Sequence, residues 1–248
     1  QSASLAAPTP GSLTSAAVAG VFATANNGAA MTGPDATHTL SWAGAMTATN
    51  GYVSLNGHSS ISGIVSGKLL IASAATYALT NTSNNISTVA ANVNSGSLTL
   101  TNGSVLTIGT VNSITGLTVP TLTLTTAGLS GSADITSTSS STIQFNNSSG
   151  SSTYSGAIAG PIAITKSAAG TQILSGSNSY TGTTTVSGGV LQLNTAGSLG
   201  SADVAVSATL NFNLTSATSY SNGFSLTSNG TLLNIGSGAV TLTGVVNT

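Results

Sequence analysis

The sequence predicts an all-β chain built as a stack of short strands, a parallel β-helix or β-solenoid, with a β-sandwich or jelly roll as the alternative. Three observations predict it. The first is the scarcity of helix formers: among 248 residues there is no Glu, no Arg and only two Lys, while Ser and Thr make up a third of the chain. Thr and Val are stiff at χ1 and suit pleated strands, and the 30 Gly with many Asn supply turn conformations. The second is a succession of short alternating runs, separated by Asn-Gly, Ser-Gly, Gly-Gly or Ala-Gly pairs, at the spacing of about 8–12 residues that short-stranded β folds use. The third is a returning pattern of Gly, one residue, apolar, any, apolar, at Gly96–Leu100, Gly189–Leu193 and Gly238–Leu242. A turn followed by a restarted strand is what each coil of a solenoid requires.

Along the chain, residues 1–25 read as an extended N-terminal segment. The lead Ala7-Pro8-Thr9-Pro10 resembles a linker, and the apolar stretch Leu13–Ala25 reads equally as helix or strand; it is a candidate donated strand. Residues 26–85 form an N-terminal β region, and the polar break from Thr80 to Thr88 (TNTSNNIST) marks its end. Residues 86–248 are the solenoid-like region. Its strands fall at Ser97–Leu100, Val105–Ile108, Leu117–Leu124, Thr184–Val186, Val190–Leu193, Val204–Val206, Leu210–Leu214 and Val240–Leu242. Pro120 interrupts the third of these, which must bend there or lie at an edge.

One region carries a signature. Between 153 and 206 the chain sets out Tyr154-Ser155-Gly156, Gly160, Lys166, Gly170-Thr171, Leu174-Ser175-Gly176, Asn178 through Gly182, Thr184 through Val186, Gly189 with Leu191 and Leu193, and Leu199-Gly200. In order and spacing this resembles the autotransporter-associated β-strand repeat of bacterial surface proteins. The resemblance implies a right-handed parallel β-helix exported to the cell surface, with Lys166 as an exposed turn charge. Asn92–Leu117 is similar, more loosely, to coils of secreted haemagglutinin-type helices. The start Gln1-Ser2-Ala3 reads as a mature terminus left after removal of an export signal.

The charge pattern excludes several functions. The five charges are Asp35, Asp134, Asp203, Lys68 and Lys166, for a net charge of −1. Without a basic surface the chain cannot hold a nucleic acid, and without Cys it has neither disulfides nor thiolate metal sites. No apolar run is long enough for a transmembrane helix. A β-helical hydrolase or lyase needs convergent carboxylates, whereas the three Asp are far apart. The two Gly-Ser-Ala-Asp tetrapeptides ending at Asp134 and Asp203 read as one repeated turn. Asp35 and His38 have a spacing a metal site uses, but partners are lacking, and His58 reads as a turn residue. The expectation is a non-enzymatic protein with no cofactor and no metal. Trp42 and Tyr52 are weighed as a sugar-stacking platform, with Trp42 expected in the core. Glycosylation sequons fall at Asn81, Asn85, Asn102, Asn146, Asn147, Asn213 and Asn229, several of them expected from composition alone.

Two functions are left. The first is a structural subunit of an extracellular filament, a homopolymer joined head to tail by strand pairing. An uncharged β surface lacks the lysines and inward charges that normally protect strand edges. The assembly residues expected are Leu13, Val18, Val21 and Phe22 on the donated strand, and Val240, Leu242, Val245 and Val246 on the receiving coil. The alternative is an adhesin-type binding passenger contacting surface glycans or other cells. Both place the protein outside the cell.

Overall fold

The structure, a computed structural model, describes residues 3–5, 29–32, 39–227 and 229–248. It divides into two units, residues 1–124 and 125–248. Each is a β-solenoid of stacked parallel coils, and the described residues contain no helix. The segment holding Leu13, Val18, Val21 and Phe22, and the pair Asp35 and His38, lie outside the described residues.

In the second unit the chain lays down three walls. The first stacks Ser141–Phe145, Ile162–Lys166, Thr184–Val186, Val204–Val206, Phe224–Leu226 and Val246–Asn247. The second stacks Ser151–Tyr154, Thr171–Leu174, Val190–Leu193, Thr209–Phe212 and Thr231–Asn234. Ile135–Thr136, Ile158–Gly160 and Ser179–Tyr180 form the third. Residues 20 apart occupy equivalent places on successive coils, as Ile164, Thr184 and Val204 do.

Alternation within these short strands decides what is inside. In Ile162–Lys166 and Val190–Leu193 every second residue is buried. Register then stacks inward residue on inward residue, so the inner ladder Gln172, Leu191, Leu210 and the neighbouring ladder Tyr154, Leu174, Leu193, Phe212 run through the stack. Each fully buried Leu, Ile or Phe contributes about 1.5–3 kcal/mol. Two of the buried tyrosines have their hydroxyls satisfied: Tyr154 Oη donates to Ala133 O at 2.6 Å, and Tyr180 Oη lies 2.8 Å from Thr184 Oγ1.

The first unit has the same logic with longer, bent strands. One wall stacks Leu40–Trp42, Ser59–Ile61, Ala75–Leu79 and the start of Gly96–Ile108. Met46–Asn56, Val65–Ile71 and Asn85–Asn92 stack over one another, with register shifts within the pairings. Stacking continues without a break across residue 85, since Ala75–Leu79 pairs with residues 96–100. The runs Ser97–Leu100 and Val105–Ile108, expected as two strands, are one strand of 13 residues. The reason is Asn102, which is 2% exposed and turns the corner from inside. Its Oδ1 accepts the Ile86 N–H at 2.8 Å and its Nδ2 donates to Ile86 O and Ser104 O. Asn84 does the same one coil earlier, accepting the Val65 N–H at 2.7 Å and donating to Thr101 O. The break at Pro120 falls as expected, between Leu117–Thr118 and Thr121–Gly131.

One expectation is overturned. Lys166 is not an exposed turn charge but a fully buried residue at an inward position, stacked between Phe145 and Val186. Its long methylene stem fills the core, and its ammonium curls back to donate to Ala168 O and to Gly188 O at the corner.

Candidate functional site

The two Gly-Ser-Ala-Asp turns are structurally the same device. Asp134 Oδ1 accepts the Ala157 N–H at 2.8 Å, and Asp203 Oδ1 accepts the Gly223 N–H at 3.1 Å, each from the following coil. Both aspartates therefore cap main chain at a corner. His58 is likewise occupied, its Nδ1 accepting the Thr76 N–H at 3.1 Å. Among the described residues no three His, Asp, Glu or Cys side chains come together. Of the sequons, Asn85, Asn146 and Asn229 are exposed and Asn81 and Asn213 half-buried. Asn102 and Asn147 are buried with their amide nitrogens donated inside the fold, to Ile86 O and Thr171 O respectively.

The walls of a solenoid have an outer face that is usually polar, and in the first unit one patch of it is not. Leu69, Leu70 and Ile71 are buried in succession, so Leu70, which faces away from the core, is covered as well. The cover is a hairpin, Thr110–Val111 paired antiparallel with Ile114–Thr115. Its Val111, 2% exposed, joins Leu70 and Ala90, with Tyr52 and Ile114 packed against them. The two-residue turn holds Asn112 at φ 47° and Ser113 at φ 72°, the only positive-φ residues other than glycine among the described residues. The type I′ turn, one of the two-residue turns whose twist matches the flanking strands, requires positive φ at both positions. Asn tolerates this well; Ser does so at a cost.

Beside the hairpin lies a cleft of about 400 Å³ lined by Asn50, Gly51, Tyr52, Lys68, Thr110, Val111 and Asn112. Tyr52 and Lys68 are register neighbours on adjacent coils, so their side chains leave the wall side by side. Two irregularities bring them there: a register shift between Thr47 and Tyr52, and another between Gly67 and Lys68. Gly67 (φ 98°) is required at the second, because a Cβ there would stand 2.3 Å from Ala48 O. Tyr52 is half-buried against the hairpin and Lys68 is exposed. Trp42, the other half of the expected aromatic platform, is 3% exposed in the core of the first unit and takes no part.

In the second unit an open groove of about 600 Å³ runs over the outside of the first wall, lined by Thr183, Thr185, Asp203, Ala205, Ser225 and Asn247 among others. It offers hydroxyls but neither a cation nor an accessible ring, since Phe224 is 1% exposed. At the same end Leu233, Ile235, Val245 and Val246 are 43%, 52%, 68% and 43% exposed, and Val240 and Leu242 are half-buried.

Stacked parallel coils with inward ladders and tight corners define a parallel β-solenoid. Within it, residues 164–193 match the family model described as passenger-associated-transport-repeat. The match runs from the first wall at Ile164 once around the coil to the second wall of the next, ending at Leu193. It bears out the resemblance seen in the sequence and implies a surface or secreted protein. Comparison with curated proteins and with solved structures returns no match.

Proposed function

We propose that this chain is a passenger-type β-solenoid whose task outside the cell is binding: a stiff stack of coils that presents an adhesive outer face, without enzymatic activity. The observation that carries the reading is the passenger-associated-transport-repeat spanning one complete coil. The hairpin and cleft of the first unit support it, because they are an elaboration of the outer face that stacking does not need. The test is to raise antibodies against the folded chain and apply them to intact cells of the source organism. Labelling of intact cells is expected; labelling only after permeabilisation would overturn the reading.

A second reading, a self-associating filament subunit, is favoured by the near absence of charge, which leaves the strand edges without the lysines that normally protect them. Electron microscopy of the concentrated protein distinguishes the two, fibres supporting the filament and separate particles the adhesin. If fibres form, deleting residues 1–25 separates strand donation from end stacking.

A further inference from the structure

We propose that the cleft between the hairpin Thr110–Thr115 and the coil bearing Tyr52 and Lys68 binds an acidic sugar, a hexuronic acid unit of a polysaccharide. The proposal deepens the adhesin reading and rests on it only for its biological setting. Three observations point to the ligand. The first is the cation. The chain has two Lys and no Arg, and Lys166 spends its charge inside the core. Lys68 is thus the one exposed Lys, and among the described residues nothing pairs with its ammonium. Of the two lysines, the exposed one lies in a cleft.

The second is the company it keeps. The half-buried Tyr52 ring stands beside Lys68 and packs against the cluster of Leu70, Ala90 and Val111. Asn50 and Asn112 line the same cleft. A pyranose has an apolar face of C–H groups, a rim of hydroxyls that both donate and accept, and in a uronic acid one carboxylate. Ring, amides and ammonium answer these in turn. The volume, about 400 Å³, falls within the range of small-ligand pockets. The third is the hairpin itself, a departure from the regular coil whose tip residue Asn112 lines the cleft.

The experiment is titration of the purified chain with trigalacturonate, followed by NMR, with neutral galactotriose as the control. Saturable shifts at Tyr52, Lys68 and Asn112 are expected with the acidic sugar. The substitution Lys68→Gln should weaken binding roughly ten-fold or more, the loss of one charge-assisted contact, while leaving the rest of the spectrum unchanged. Asn112→Asp, which sets a negative charge at the cleft, should weaken it further without unfolding the hairpin. No shifts up to about 10 mM sugar, well beyond the weakest useful affinity, or equal response to the neutral sugar, or full binding by Lys68→Gln, would each overturn the proposal. A chain found on intact cells that ignores the sugar sinks this inference alone. A chain that binds the sugar but is never exposed sinks the passenger reading alone.

Discussion

The ammonium of Lys166 is held by two carbonyl dipoles, those of Ala168 and Gly188, at a corner of the coil. Burial pushes its pKa below the ordinary lysine value, so the unfolded chain binds this proton more tightly than the folded one. The charge therefore costs stability at neutral pH, and its contribution improves as pH rises towards the unfolded value of 10.5. Lys166→Met keeps the stem and removes the charge. It is expected to change stability by no more than about 1.5 kcal/mol, because lost hydrogen bonds and relieved desolvation oppose each other. Lys166→Ala, which also opens a cavity, should cost about 3 kcal/mol; urea unfolding of the two variants separates the cases. Gln172 is a second buried polar anchor. Its Oε1 accepts the Leu129 N–H at 2.9 Å and its Nε2 donates to Leu129 O at 3.1 Å and Ser152 O at 3.2 Å. Gln172→Leu is expected to cost about 2–4 kcal/mol by orphaning buried main-chain groups, and a smaller loss would show that the coil can close the gap. Neither role was legible in the sequence. A lone Lys or Gln reads as surface by composition, and only register reveals that it stands in an inward ladder.

At the scale of the element, the hairpin Thr110–Thr115 is the departure from solenoid regularity. Its turn sequence Val111-Asn112-Ser113-Ile114 keeps Ser where Gly would sit without strain. Ser113→Gly should stabilise the first unit by about 1 kcal/mol, read as a shift in the urea midpoint; no gain would mean that the turn is already relaxed. Most strands were legible, because alternation and Gly-led restarts are local signals: Val190–Leu193 and Val204–Val206 fall where the pattern puts them. The paired turns at Asp134 and Asp203 were legible too, through their identical tetrapeptides. The cleft was only half legible. Tyr52 was singled out, but its partner Lys68 lies one coil away, and pairing across coils depends on register shifts that no local pattern encodes. The run Leu69-Leu70-Ile71 did carry a signal, since three successive apolar residues in a strand require cover on both faces.

For the molecule as a whole, the buried tyrosines set the alkaline limit. Burial raises the pKa of Tyr77, Tyr154 and Tyr180, and that of Tyr220 is pushed up to about 12. Above the ordinary value of 10.0 the unfolded chain ionises first, so stability present below that pH is lost as pH rises through the folded values. With so few other titrating groups, the unfolding midpoint should be nearly flat from about pH 4 to 9 and fall steeply above about pH 10, by up to about 1.4 kcal/mol per pH unit for each ionising Tyr. Circular dichroism against pH measures this, and a loss of structure on mild acidification would contradict it. The architecture was legible from the repeat alone because a solenoid is quasi-one-dimensional: once one coil is recognised, its neighbours must share its geometry.

The inward turn of Lys166 also makes the molecule chemically addressable. Of its two side-chain amines one is sealed in the core and the other stands on the outer wall. An amine-directed acyl reagent at mild pH should therefore modify Lys68 and spare Lys166 for as long as the coils remain stacked. The acylation state of Lys166 then becomes a time stamp of unfolding: a peptide map showing it modified counts the molecules whose coils have opened, with no mutation and no engineered probe.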